Sequence, residues 1–215
     1  VTSPPYDDLR TYGGHSWDFE GVAQQLWRVI KPGGVVVWVV NDATVDGSET
    51  GTSFRQALRF MEIGFRLHDT MIYEKGNWPF PENVRYNQTF EYCFVFSRDA
   101  PVSFMPICDR EAVRPNEKIC GTRRTKTGEL EDVNHITRTT RERGMRTNVW
   151  RYFNGKNTGT KDAVAFQHPA TFPESLARDH ILSWSNEGDI VLDPFNGSGT
   201  TTKMARLMGR RFIGI

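Results

Sequence analysis

Two short stretches, near opposite ends of the chain, carry residue types that could do chemistry together. Asp193-Pro-Phe-Asn-Gly-Ser-Gly-Thr-Thr201 stands between Asp189–Asp193, which reads as a short strand, and Thr200–Met208, which reads as a helix. In open α/β sheets, ligands bind beyond the carboxyl ends of strands, and glycines there let the backbone approach a ligand with no Cβ in the way. Gly197 and Gly199 suit that use. Thr202 stands where the dinucleotide fingerprint has its third glycine, and Lys203 does not complete a GK[ST] sequence, so a phosphate cradle is disfavoured. The second stretch is Thr2-Ser-Pro-Pro-Tyr6. Consecutive prolines fix their own φ angles, lack N–H groups and extend the residue before them, which presents carbonyl oxygens in fixed directions. With the Ser3 hydroxyl as a further acceptor and Tyr6 as an aromatic face, the stretch could hold an NH₂ group by both hydrogens while stacking the attached ring. Taken singly, each stretch is also compatible with a plain turn.

The elements that must position these stretches follow from periodicity. Phe19 to Ile30 places Phe19, Val22, Ala23, Leu26, Val29 and Ile30 on one helical face, and Lys31-Pro-Gly-Gly34 stops it. Val35 to Val40 reads as a strand buried on both faces, the pattern of a parallel sheet covered by helices. A helix is predicted from Phe54 to Phe65 with Ser53 as N-cap, then strands at Leu67–Lys75 and Glu91–Ser97. Pro173 to Ser185 reads as a helix with His180 on its inward face as a core histidine, and Arg211–Ile215 starts another strand. Alternating strands and helices predict an α/β fold with a doubly wound, mostly parallel sheet.

Composition sets limits on function. At 215 residues with 38% hydrophobic residues, the chain can bury one sizeable core plus an inserted segment. No apolar run approaches the roughly 18 residues of a membrane span, and Val1 leads straight into Ser-Pro-Pro rather than a signal peptide, so a cytoplasmic location and no membrane partner are expected. Cys93, Cys108 and Cys120 form no CxxC and no cluster with histidines, which argues for free, mostly buried thiols and no metal. Net charge is +1, but Arg110 to Lys161 holds 13 Lys and Arg against 6 Asp and Glu, a local +7 that leaves −6 elsewhere. That segment is poor in apolar residues, has no clear period, and reads as an extended excursion from the core.

The co-occurrence of Ser3-Pro-Pro-Tyr6 and Asp193-Pro-Phe-Asn-Gly-Ser-Gly-Thr-Thr201 resembles the amino-methylating (cytosine-N4 or adenine-N6) DNA methyltransferases over nearly the whole chain. Arg28-Val-Ile-Lys-Pro-Gly-Gly34, Phe90-Glu-Tyr-Cys-Phe-Val-Phe96 and His168-Pro-Ala-Thr-Phe-Pro173 also look like segments of that family. The motif order, catalytic first, variable region next and cofactor loop last, resembles the family's β group. The resemblance implies a Rossmann-like domain dependent on S-adenosylmethionine, with residues 1–100 as its catalytic half, 101–165 as target recognition and 166–215 as its cofactor-binding half. It also implies double-stranded DNA as partner, with a homodimer left open. By the same resemblance Ser3, Pro4, Pro5 and Tyr6 are catalytic. Phe172, Pro173, Asp193, Pro194, Phe195, Asn196, Gly197, Ser198, Gly199 and Thr200 hold the cofactor, and Arg123, Arg124, Lys126, Arg138, Arg141, Arg143 and Arg146 meet DNA.

The implied chemistry is direct methyl transfer to the exocyclic amine of a flipped base, with Ser3 Oγ and the Pro4 carbonyl accepting its two N–H bonds. Ser at the first motif position favours cytosine N4, with adenine N6 as the alternative. A catalytically silent DNA-binding protein of the same fold is a further alternative, against which both intact motifs argue. Carbon-5 cytosine methylation would need a nucleophilic thiol after proline, whereas Cys93, Cys108 and Cys120 follow Tyr, Ile and Ile. Asp7 and Asp8 receive no catalytic role. The family usually carries an acidic residue just beyond the counterpart of Phe212-Ile-Gly-Ile215, and a strand before the first motif; a chain truncated at both ends is therefore expected.

Overall fold

The computed structural model describes residues 1–6, 17–77, 85–133, 138–155, 158–160, 162–163, 165, 168 and 171–215; Asp7 and Asp8 lie outside these. In chain order the elements are α1 (Phe19–Val29), β1 (Val35–Val40), β2 (Thr44–Val45), β3 (Ser48–Glu49), α2 (Thr52–Ile63), β4 (Arg66–Lys75) and β5 (Phe90–Ser97). Short strands follow at β6 (Arg110–Glu111), β7 (Thr122–Arg124), β8 (Leu130–Asp132) and β9 (Arg143–Gly144). Then come β10 (Val149–Tyr152), α3 (Glu174–Trp184), β11 (Ile190–Asp193), α4 (Thr200–Leu207) and β12 (Arg211–Gly214). The chain divides into two compact units, Val1–Met105 with Asn148–Ile215, and Pro106–Thr147.

The first unit is α/β, as its alternating periods require. Its four-stranded sheet runs β1-β5-β4-β10, and β11 pairs with β12. Pairing is mixed: β5 is antiparallel to both β1 and β4, while β10 on β4 and β12 on β11 are parallel. Two-face burial of β1 is as expected, with Val36 to Val40 all buried, but burial does not specify the direction of a neighbour. Direction is set by how consecutive strands connect, and β4 and β5, neighbours in the chain and in the sheet, pair antiparallel. On the other side of β1, Thr2 forms a parallel bridge to Trp38, with its N–H donating to Val37 O (3.0 Å) and its carbonyl accepting from Val39 N–H (2.9 Å).

The core is aromatic. Trp38 is fully buried between Phe60 (centroids 5.0 Å) and Phe19 (6.2 Å), and its Nε1 donates to Gln56 Oε1 at 2.8 Å. Helix α2 begins two residues before the predicted Phe54. Gly51 caps it, and Ser53 lies in its first turn, where its N–H and hydroxyl donate to Asp42 Oδ1 (2.8 Å) and Oδ2 (2.5 Å). A carboxylate eleven residues upstream thus replaces the local cap, as suits the positive end of a helix. His180 is buried and stacks on Trp150 (4.6 Å), consistent with a core histidine. Of the three thiols only Cys93 is buried; Cys108 and Cys120 are exposed in the second unit, where too little apolar surface surrounds them.

Among its described residues the second unit holds two small ladders, β6 on β9 and β7 on β8, and β10 beyond it joins the central sheet, so the basic segment is more ordered than the excursion its sequence suggests. No helix among the described residues is long and apolar enough to cross a membrane.

Thr2 and Asp193 are both buried, and Thr2 Oγ1 donates to Asp193 Oδ1 at 2.6 Å. Thr2→Val keeps the volume but leaves a buried carboxylate one donor short, so unfolding stability should fall by about 1–3 kcal/mol. Thr2→Ser should cost less; urea denaturation of the three proteins checks this order.

Candidate active site

The strand bridge at Thr2 aims the first motif. Two prolines follow Ser3 and contribute no N–H, so the strand pairing of Thr2 cannot be continued by their donors. Ser3 Oγ lies 2.8 Å from Tyr6 Oη, which donates to Glu91 Oε2 at 3.0 Å. Glu91 Oε1 is 2.8 Å from Lys75 Nζ. Burial, reinforced by the nearby Glu91 charge, pushes the Tyr6 phenol well above its ordinary value, so it keeps its proton at any working pH.

Asp193, the last residue of β11, starts the second motif. Its Oδ1 accepts from Phe195 N–H (3.1 Å) as well as from Thr2. The Phe195 ring packs edge-on against Trp17 (5.0 Å) and Trp38 (6.1 Å), tying the loop to the core. Asn196 N–H donates to Ile215 O (3.0 Å), and its Oδ1 accepts from Thr202 Oγ1 (2.9 Å). Gly197 and Gly199 have φ of 48° and 82°, left-handed conformations that favour glycine, and Gly199 is the N-cap of α4. A Cβ on Gly197 would come within 3.0 Å of the His168 ring.

Both motifs line one cleft of about 710 Å³. Ser3, Pro4, Pro5, Tyr6, Phe172, Pro194, Phe195, Asn196, Gly197, Ser198 and Thr200 face it, so most of the predicted site residues converge. Three do not line it. Asp193 is buried beneath as a bracket between the motifs, Pro173 is the buried N-cap of α3, and Gly199 turns the chain into α4. Sequence reasoning missed Asn41, Asp42, Tyr73, Lys75, Gln88, Glu91, Asn154 and His168, which line the same cleft. Asn41-Asp42, a polar pair directly after six apolar strand residues, was a readable signal, as was Glu91 alone in an apolar strand. Tyr73 and Lys75 come from the register of β4, Asn154 follows β10, and none had a signal of its own.

A family model described as DNA methylase matches residues 1–215. The chain belongs to that family. It is 58% identical to the orphan methyltransferase M.BamHII of Bacillus amyloliquefaciens, over 100% of this chain and 81% of that protein. It is 27% identical to the type II methyltransferase M.BglII of Bacillus subtilis, over 100% of this chain but only 58% of that protein. Among solved structures, the crystal structure of the M1.HpyAVI-SAM complex shares the fold, with a TM-score of 0.60 and 22% identity over 100% of this chain and 80% of that one.

The DNA methylase family depends on S-adenosylmethionine, and the residues here fit that group. The cleft lies within the roughly 300–1,000 Å³ of small-molecule sites. The glycine loop opens the backbone to it at the start of α4, Ser198 and Thr200 bring hydroxyls 3.2 Å apart, and Phe172 adds an apolar wall. Lys203 is occupied by Asp162 (3.1 Å) and Glu174 (2.8 Å), which agrees with a loop not built for phosphate.

The predicted DNA contacts all lie in the second unit, and they are not equally available. Arg123 pairs with Glu131 (2.9 Å), Arg124 donates to Gly128 O (2.7 Å), and Arg146 pairs with Asp109, holding that carboxyl below its usual range. Arg143 adds to the positive field at Asp109. Lys126, Arg138 and Arg141 are exposed and make no ion pair with any described residue.

Burial pushes the Cys93 thiol far up, out of the range in which a thiolate nucleophile would exist at neutral pH. It sits on β5, paired with Val39 and Met71, rather than at a strand end. A chromogenic disulfide reagent should therefore titrate two thiols in the folded protein, Cys108 and Cys120, and the third only after denaturation. Fast reaction of all three in the native state would contradict the burial of Cys93.

Proposed function

We propose that this protein transfers a methyl group from S-adenosylmethionine to the exocyclic amine of a base flipped out of duplex DNA, at cytosine N4 in preference to adenine N6. The observation that carries the reading is the convergence of Ser3–Tyr6 and Pro194–Ser198 on one cleft. S-adenosylmethionine supplies an electrophilic methyl group on a sulfonium. Everything else falls to the chain. An exocyclic amine is a weak nucleophile because its lone pair is delocalised into the ring. Ser3 Oγ and the Pro4 carbonyl accept its two N–H bonds, which favours a tetrahedral nitrogen whose lone pair faces the donor. Tyr6, which lines the cleft and packs against the Trp38 cluster, offers the extruded ring a stacking surface that offsets part of the few kcal/mol of flipping. Phe172 and the 194–200 loop hold the cofactor. The preference for cytosine rests on Ser3, the residue at the first motif position.

Target recognition is assigned to the compact unit Pro106–Thr147, narrower than the expected 101–165 because β10 joins the central sheet and Asn154 lines the cleft. The unit's described residues form ladders with exposed cations and no helix, and a DNA substrate implies a cytoplasmic location.

The direct test incubates the full-length protein with methyl-labelled S-adenosylmethionine and PCR-amplified, hence unmethylated, DNA, followed by nucleoside mass spectrometry. N4-methylcytosine is the expected product, N6-methyladenine would correct the base, and 5-methylcytosine or no product would overturn the reading. Ser3→Ala should bind cofactor and DNA near normally and lose about a hundredfold or more in single-turnover rate, the usual size of one transition-state contact.

Lys126→Ala, Arg138→Ala and Arg141→Ala should each reduce the slope of log affinity for DNA against log salt by about 0.9 if each neutralises one phosphate. Cofactor affinity should not move. An unchanged slope in the triple variant would take the second unit out of phosphate binding.

A further inference from the structure

Three oxygens from two stretches of the chain are hydrogen-bonded in series at the wall of the cleft. Ser3 Oγ is 2.8 Å from Tyr6 Oη, Tyr6 Oη is 3.0 Å from Glu91 Oε2, and the other carboxylate oxygen, Glu91 Oε1, is 2.8 Å from Lys75 Nζ. The side chains of Glu91 and Lys75 are 12% and 23% exposed, so bulk water competes weakly for either. Of these four residues, amino-methyl transfer as proposed engages Ser3 and Tyr6 and gives the carboxylate and the ammonium no task.

Counting hydrogens gives them one. An ionised carboxylate accepts only, and an ammonium donates only. Lys75 therefore donates to Glu91, and Glu91 has nothing to give Tyr6. The single hydrogen of the Tyr6 phenol must point at Glu91, which leaves Tyr6 Oη as an acceptor toward Ser3. The Ser3 hydrogen then points at Tyr6, and the remaining lone pairs of Ser3 Oγ are the only capacity it can offer the cleft. A buried phenol held well above its ordinary value keeps that hydrogen in place. With Glu91 neutral or absent, the chain can run backwards: Tyr6 donates to Ser3, Ser3 turns its hydrogen into the cleft, and a donor then faces the hydrogens of an amine. Each bond also polarises the next, so the charge at the far end strengthens the acceptor at the near end.

We infer that Glu91, held by Lys75, is a positioning residue that fixes the direction of the Ser3–Tyr6 hydrogen bond, so that Ser3 meets the target amine as an acceptor. This rests on the proposed amino-methyl transfer at Ser3. Its effect passes through Tyr6 and not through contact with either substrate.

The test uses the full-length protein in single-turnover transfer of labelled methyl from S-adenosylmethionine to PCR-amplified DNA, with both saturating. Glu91→Gln is expected to lower the rate by about tenfold to a hundredfold, the worth of a hydrogen bond to a charged group, while cofactor and DNA affinities stay within about twofold. In a Tyr6→Phe background the route to Ser3 is already cut, so adding Glu91→Gln should change the rate by less than about twofold. A purely structural role would show the full effect in both backgrounds, and that result overturns the inference, as does wild-type turnover by Glu91→Gln. Because Glu91→Gln strands the Lys75 charge, Lys75→Met/Glu91→Gln is measured beside it. This neutral pair, folded by circular dichroism and unfolding midpoint, should show the same rate loss; recovery to the wild-type rate would assign the loss to the stranded charge and overturn the inference. Ser3→Ala in the same assay separates the two claims: wild-type turnover there removes the active-site reading itself, whereas a slow Ser3→Ala beside a normal Glu91→Gln removes only the role of Glu91.

Discussion

One carboxylate oxygen holds the site together. Asp193 Oδ1 accepts from Thr2 Oγ1 at 2.6 Å and from Phe195 N–H at 3.1 Å, and so bonds two motifs that lie 191 residues apart in the chain. The bond is buried, where low dielectric strengthens it and a missing partner is costly. Thr2 is at the same time pinned to β1 through its backbone, so the position of Ser3 is set relative to the sheet and to the glycine loop by one residue. Methyl transfer demands this kind of control, because the reacting atoms must approach to roughly 3–3.5 Å in line before the reaction can go.

The aromatic core gives that bracket something rigid to be fastened to. Tyr6 and Phe195, one from each motif, both pack against the cluster around Trp38, and Trp38 is itself oriented by its bond to Gln56. Each motif thus has an apolar anchor inside and a polar face on the cleft. Loops bound in this way behave as extensions of the sheet, which is how residues on connections can hold a geometry that chemistry depends on.

The antiparallel ladder between β4 and β5 has a consequence for the site that a fully parallel sheet would not have produced. Its register sets Tyr73 opposite Glu91, and so brings Lys75, at the end of β4, within reach of Glu91 near the start of β5. The same ladder buries Cys93 against Met71 and Val39. A thiol is thereby silenced and a carboxylate is presented to the cleft two residues away. The Pro106–Thr147 unit is compact by itself, and among its described residues small ladders with little apolar content display cations and tie Arg123 and Arg146 to neighbouring acids.

The sequence by itself determined the α/β class, the two motifs and the four helices of the first unit with β1, β4, β5, β11 and β12, because apolar period and glycine or proline chemistry are local properties. It missed the short β2 and β3, and β10, which joins the central sheet from within the segment read as an excursion. Phe19–Val29, Val35–Val40 and Ile190–Asp193 stand within a residue of where periodicity puts them. The predicted Ser53 cap failed because the competing acceptor, Asp42, is not local. Burial of β1 on both faces was legible, but the direction of its neighbour was not, since hydrophobicity has no sense along the chain. Only the tertiary structure decided that Asp193 brackets the motifs instead of lining the cleft, that Arg123 and Arg146 are spent on internal pairs, and that Tyr73, Lys75, Glu91 and Asn154 join the site. Those assignments depend on strand register and on partners far away in sequence; apart from Glu91, a lone carboxylate in an apolar strand, none leaves a trace in local residue order.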